Sequence, residues 1–230
     1  QKDKSLKKLS LNLITKADQY RWIHQGSWMG EPFLNIAQDI MAMQEIIYIS
    51  KPEYIIEVGV GWGGGTLFNA SMLKLYGGKK VIGIDIFMPD NLRKRLMNKG
   101  EISKYISLIK GDSLSKKVLS KVKSIIKKSK KIMVILDSSH DHHQVYKELN
   151  IYSNFINKNN YLICCDTFLE KIPNQKHVKR PWGKGNNPYT ACKKFLDDNK
   201  RFAIDINLLN KLLLTSHPNG YLKATRDSIK

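Results

Sequence analysis

The stretch Tyr54-Ile-Ile-Glu-Val-Gly-Val-Gly-Trp-Gly-Gly-Gly-Thr66 restricts this chain to a small set of folds. Tyr54 to Val58 is a short apolar run rich in β-formers, of the length of a buried strand. Glycines follow at 59, 61, 63, 64 and 65, and Leu67 to Leu73 then carries apolar residues at helical spacing. Strand, glycine turn and helix open a Rossmann-like, doubly wound α/β domain. Glycines let a backbone pass close under a ligand, and the free N–H groups of a helix start then face it.

The spacing Gly59-x-Gly61-x-Gly63-Gly64 fits the dinucleotide fingerprint only loosely. Glu57, two residues before the first glycine, suits a ligand with a cationic end, such as the amino group of S-adenosylmethionine, better than a pyrophosphate. The plainer alternative is that Glu57 caps a backbone turn. Asp85 ends the next strand, Lys80 to Ile86, about twenty residues beyond the turn, where an acid meets a ribose diol in nucleotide-binding folds.

Length allows one α/β domain, read as residues 36–230, with an N-terminal arm and aromatic cap over residues 1–35. No apolar run reaches membrane-spanning length, and the first residues show no secretion signal core. Three cysteines, two of them adjacent (Cys164, Cys165), make no disulfide framework, so a cytoplasmic location is expected. The net charge of +19 raises the question of nucleic acid. Only six of the 39 basic residues are Arg, however, and bidentate base readout leans on Arg. The densest run, Lys116 to Lys131, holds eight Lys on a segment where Leu114, Val118, Val122, Ile125 and Ile126 recur at helical spacing. A solvated helix face accounts for it, and a nucleic-acid partner is not expected.

Three further strands are read at 105–109, 131–137 and 160–166. Asp112 and Ser113 follow the first of these, to hold an adenine edge or to cap the next helix. The second runs into Asp137-Ser-Ser-His140-Asp-His142-His143. The carboxyl end of a central strand is where open α/β sheets place ligands. Asp137 suits a divalent metal or the ligand's cationic centre, and His140 suits a general base. Asp166 ends the next strand and would face Asp137, giving two hard oxygen ligands for Mg²⁺. The loop from Phe168 to Asn187 reads as a lid or binding loop. Trp22, Trp28, His142, Trp182 and Asn186 are candidate substrate contacts, the tryptophans as surfaces for sugar faces; Trp22 and Trp28 could equally plug the core from outside, and His142 could simply open the next helix. Arg201–Ile206 and Lys211–Ser216 are expected to form a terminal antiparallel hairpin, with Tyr221–Lys223 closing the sheet.

The ordered motifs Ile56–Gly65, Val81–Asp85, Ile135–His140, Cys165–Thr167, Pro181–Pro188 and Pro218–Lys223 resemble the cephalosporin hydroxylase / rhamnosyl O-methyltransferase family, as do Tyr20-Arg-Trp22 and Gln38-Asp39. The resemblance spans about residues 20 to 225. It implies a class I methyltransferase fold, with seven strands and a C-terminal antiparallel hairpin. It implies S-adenosylmethionine on Glu57, the glycine turn and Asp85, and Mg²⁺ near Asp137 and Asp166, as in catechol O-methyltransferases. Those enzymes use a Lys three residues after the fourth-strand Asp as base, and His140 stands in that relation here. This chain departs at Cys165, where relatives with an acidic pair carry a carboxylate. The resemblance also suggests a homo-oligomer.

The expected activity is O-methyl transfer to a hydroxyl of a sugar, a glycan or a small metabolite. The competing readings are a nucleic-acid methyltransferase, a nicotinamide-dependent oxidoreductase and a non-catalytic scaffold.

Overall fold

A computed structural model describes residues 3–173 and 179–228. The chain opens with helix α1 (Lys4–Asp18), capped by Asp3, whose carboxylate accepts the N–H groups of Ser5 and Leu6. A two-stranded ribbon, β1 (Ser27–Trp28) and β2 (Glu31–Pro32), leads into α2 (Ala37–Ser50). The alternating core follows as β3 (Tyr54–Val58), α3 (Gly64–Tyr76), β4 (Lys80–Asp85), α4 (Asp90–Met97), β5 (Ile106–Lys110), α5 (Lys116–Ile126), β6 (Ile132–Leu136), α6 (His142–Tyr152) and β7 (Tyr161–Cys164). The chain closes with α7 (Pro188–Asp198), β8 (Phe202–Ile204), α8 (Ile206–Lys211) and β9 (Tyr221–Ala224).

The seven strands order as β5-β4-β3-β6-β7-β9-β8. β3 to β7 are parallel, and β9 runs antiparallel to both β7 and β8. Period-two alternation divides the core. Tyr54, Ile56 and Val58 of β3, with Ile132, Val134 and Leu136 of β6, face α5, α6 and α7. Ile55, Met133 and Ile135 face α2, α3 and α4 on the other side. Both faces of the central strands are therefore covered, as parallel sheets require. Each fully buried Ile or Leu adds about 1.5–3 kcal/mol of burial free energy against chain entropy.

Two expectations are corrected. Lys211–Ser216 is not a strand: α8 occupies its start, capped by the Asp205 side chain on the Leu208 N–H. The N–H groups of Leu213 and Leu214 go instead to the Gln38 side chain at 2.9 and 2.6 Å, so the antiparallel pair is β8 with β9. The cap of α5 is Ser115, two residues beyond Ser113. The lysine-rich reading of α5 agrees with the structure. Val118, Val122 and Ile126 are buried, and all eight lysines from Lys116 to Lys131 are exposed.

The N-terminal region packs on the body. Ile14 and Ile36 share an apolar cluster with Phe168, Leu169 and Ile172, and Phe33 stacks on Phe68 at 5.6 Å. Among the described residues no helix is long and apolar enough to cross a membrane.

Candidate active site

The strand order reverses direction at β3 and β6, and there the two strands part. Gly59 leaves β3 at φ 99°, and a Cβ at this position would lie 2.0 Å from the Asp137 carbonyl oxygen. Only glycine fits so close an approach. Gly64, the first residue of α3, passes under the Pro32 carbonyl, which a Cβ would meet at 2.3 Å. The start of α3 has no side-chain cap, which leaves its positive end turned to the crevice.

Two cavities flank this point and share Gly59, Gly61, Asp137 and Ser138 in their walls. One, of about 580 Å³, is lined by Asp85, Ile86, Asp112, Ser113, Gln144 and Glu148. The other, of about 430 Å³, takes in Glu57, Asn69, His140, Cys165, Asp166 and Trp182.

In the first cavity, Asp85 is the last residue of β4. Its Oδ2 accepts the N–H groups of Val60 (2.9 Å) and Gly61 (3.1 Å), so this acid also shapes the glycine turn. Ile86 and Phe87 stand beside it, each 73% exposed, offering apolar surface at the rim. On the far wall Glu148 of α6 is fully buried. It accepts the hydroxyls of Ser113 (2.6 Å) and Ser138 (2.8 Å) and the Gln144 amide (3.1 Å), and burial pushes its carboxyl up. Sequence reading missed Glu148 and Gln144, because their roles depend on strand ends brought to them from elsewhere in the chain.

In the second cavity, Glu57 is 5% exposed beneath the glycine turn. Thr66 Oγ1 donates to its Oε2, and Asn69 Nδ2 donates to Oε1 at 3.3 Å. Burial, with the charges of Asp137 and Asp85, pushes its carboxyl up to about 8, against the hydrogen bonds from Thr66 and Asn69. Both readings of Glu57 therefore meet in one residue, which props the turn and lines the cavity.

The acids at the ends of β6 and β7 converge as expected. His140 Nε2 lies 2.9 Å from Asp166 Oδ2 and 3.6 Å from Asp137 Oδ1. Burial opposes a charge on His140, but the two carboxylates outweigh it and raise the imidazole to about 10. Burial acts against Asp166 too, yet His140 holds its carboxyl below the usual range. Trp182 covers the imidazole at 5.0 Å between ring centroids, and the Arg180 guanidinium lies over Trp182 at 5.1 Å.

Asp137, His140 and Asp166 each offer a ligand atom, all within 4.8 Å of one another. Two carboxylate oxygens held this close beside the His140 imidazole suit a hard divalent cation. Cys165 is not among the groups whose ligand atoms converge here, and burial with the surrounding acids pushes its thiol well up.

A family model described as rhamnosyl O-methyltransferase/CmcI matches residues 20–225. The chain belongs to the rhamnosyl O-methyltransferase/CmcI family. It is 28% identical over 202 residues to a rhamnosyl O-methyltransferase of Mycobacterium leprae, covering 85% of this chain and 82% of that protein. To the Mycobacterium tuberculosis H37Rv protein of the same name it is 24% identical over 216 residues, covering 90% and 84%. An apo structure of CmcI superposes with a TM-score of 0.61 at 18% identity, over 88% of this chain and 77% of that one. A structure of CmcI with Mg and S-adenosylmethionine gives 0.55 at 16% identity, over the same shares. The sheet order and the antiparallel last strand are those of the class I methyltransferase fold.

Within this family frame, four of the candidate substrate contacts do not line either cavity. Trp28 packs edge-on against Phe68 at 5.1 Å and donates from Nε1 to Ser71 Oγ, which ties the β1–β2 ribbon to α3. Trp22 is 49% exposed outside the cavity, and its neighbours Ile23 and His24 form the wall instead. His142 opens α6, with Nδ1 2.8 Å from Thr190 Oγ1, and its N–H goes to Asn186 Oδ1 at 2.8 Å. Asn186 also donates to the Pro181 carbonyl, so these two residues brace the loop that carries Trp182. Of the five, Trp182 alone reaches the site. The expected lid falls partly on residues 174–178, outside the described residues. Its later part is fixed, because Glu170 accepts the Gly185 N–H (2.8 Å) and the Asn187 amide (2.6 Å), and Asn187 caps α7.

Proposed function

We propose that this protein transfers a methyl group from S-adenosylmethionine to a hydroxyl of a sugar, on a glycan or glycolipid acceptor, with a divalent metal at Asp137 and Asp166. The observation that carries the reading is His140 Nε2 set between the Asp137 and Asp166 carboxylates in the second cavity, with Asp137 in the wall that this cavity shares with the first. The family's name and the sugar named in its mycobacterial members support the acceptor class.

In this reading the nucleoside end of the methyl donor lies in the first cavity, its ribose on Asp85 and its base near Asp112, Ser113 and Ile86. The amino-acid end lies over the glycine turn, its ammonium toward Glu57 and its carboxylate toward the uncapped start of α3. Asp137 stands at the junction, within reach of donor and acceptor. Asp137 and Asp166 would hold Mg²⁺, as a structure of CmcI with Mg and S-adenosylmethionine also suggests. A metal held there would lower the pKa of the acceptor hydroxyl.

His140 takes the acceptor proton. The two uncompensated carboxylates keep a proton on the imidazole; a cation held by them would remove that pull, so that the ring would start unprotonated and could accept the acceptor proton. Trp182 stacks on the imidazole and narrows the wall, limiting water beside it. The rest is alignment: the acceptor oxygen must lie in line with methyl and sulfur.

The lysine-rich α5 lines neither cavity, which speaks against a nucleic-acid acceptor. The direct test is transfer of labelled methyl from S-adenosylmethionine to rhamnosyl and other deoxyhexosyl acceptors, with and without Mg²⁺. Label in the sugar, lost on Mg²⁺ chelation, is expected. Transfer to RNA instead would sink the proposal.

A further inference from the structure

Asp166 is held in the left-handed region of backbone space, φ 54°, which residues other than glycine seldom adopt. Something must hold it there, and the contact is explicit: the Asp166 N–H donates to Nδ1 of His217 at 2.9 Å. A ring nitrogen that accepts an N–H carries no proton, so His217 is the Nε2–H tautomer. The ring is 2% exposed and sits edge-on to Tyr221 at 5.8 Å, and its Nε2 has no partner among the described residues. A buried ring that leaves one nitrogen unsatisfied is costly for packing alone.

His217 is itself anchored. Thr215 Oγ1 accepts its N–H at 3.0 Å. Thr215 Oγ1, the Ser216 N–H and hydroxyl, and the Tyr221 hydroxyl all donate to the fully buried Asp39 carboxylate at 2.6–2.7 Å. Thr167 Oγ1, next to Asp166, donates to the Pro218 carbonyl at 2.6 Å. The line of contacts runs from α2 through residues 215–221 to the Asp166 backbone, and from the Asp166 carboxylate to His140.

We propose that His217 is a positioning residue: by accepting the Asp166 N–H it holds that backbone so that the carboxylate is aimed at His140 and the metal position. The proposal rests on the metal-assisted reading above, and the test separates the two.

Mn²⁺ and Mg²⁺ affinities are measured by calorimetry on the full chain for wild type, His217→Ala and His217→Asn. Asn places Oδ1 where Nδ1 stands and can accept the same N–H. His217→Ala is expected to weaken metal binding about 10- to 100-fold, and His217→Asn to recover to within about threefold of wild type. Affinity for S-adenosylhomocysteine without metal should stay within about twofold in both. Equal weakening in both variants, or none in His217→Ala, overturns the proposal. ¹⁵N spectra of the metal-free wild type supply a readout that needs neither metal nor a folded variant. They should show His217 Nδ1 unprotonated and Nε2 protonated, and the opposite tautomer overturns the proposal. If wild type binds no divalent metal while the spectra show this tautomer, the metal reading fails and the His217–Asp166 contact stands.

Discussion

His140, four residues past the end of β6, places Nε2 2.9 Å from Oδ2 of Asp166, which follows β7. Two neighbouring parallel strands thus deliver an imidazole and a carboxylate to one point, with Asp137 at 3.6 Å completing it. If His140 takes the acceptor proton, His140→Ala lowers kcat by about 10²- to 10⁴-fold, the usual contribution of a positioned general base. Affinity for S-adenosylhomocysteine should change by less than about twofold. Single-turnover methyl transfer paired with calorimetry checks both halves.

Glu57 predicts a dependence of stability on pH. Its carboxyl is raised from 4.5 to about 8 in the folded protein. Below 4.5 folded and unfolded chains both hold the proton, and the folded state keeps its advantage. As pH rises toward 8 the unfolded chain ionises first and that advantage is lost. Glu57→Gln, which cannot ionise, should gain stability relative to wild type over this window, by at most roughly 5 kcal/mol at 1.36 kcal/mol per pH unit. Urea midpoints of the two proteins at pH 5 and pH 8 measure it, and a constant difference contradicts the assignment.

Gly59→Ala should be among the most damaging single-methyl additions in the chain. The new Cβ would meet the Asp137 carbonyl at 2.0 Å on a backbone at φ 99°. Strain and clash together should cost about 3 kcal/mol or more and part β3 from β6. Loss of S-adenosylhomocysteine binding by at least about tenfold, in whatever fraction remains folded, should accompany the lowered Tm.

Asp39→Asn tests the anchor behind the site. The Asp39 carboxylate takes donors from Thr215, Ser216 and Tyr221, and an amide would turn N–H against one of them. A loss of about 2–4 kcal/mol is expected from thermal unfolding. Asp39→Ala should be no better, since the four donors of these three residues are then left unpaired.

Much of the site was legible because its acids follow a local rule. Asp85, Asp137 and Asp166 each sit at the carboxyl end of an apolar run, and parallel strands gather such ends on one edge. The alternation of Ile55 and Ile56, or Met133 and Val134, likewise gave both core faces. What local pattern could not give was the partner of a group far away in sequence. Leu212-Leu213-Leu214 reads as a strand, but the Gln38 side chain takes the N–H groups of Leu213 and Leu214. Trp28 reads as a binding aromatic, yet Ser71 and Phe68 hold it in the body. Glu148 and His217 show no local signal at all. Each is defined by the strand end that it touches, and the separation of His217 from Asp166 is 51 residues.

The central claim is that this crevice binds S-adenosylmethionine chemistry with a divalent metal beside it. Calorimetric titration with S-adenosylhomocysteine, with and without Mg²⁺ and with NADH as control, tests it most directly. Micromolar binding of S-adenosylhomocysteine is expected, with a separate Mg²⁺ heat abolished by a double Asp137→Asn, Asp166→Asn variant, and no heat from NADH. Binding of NADH, or of neither nucleotide, would contradict it.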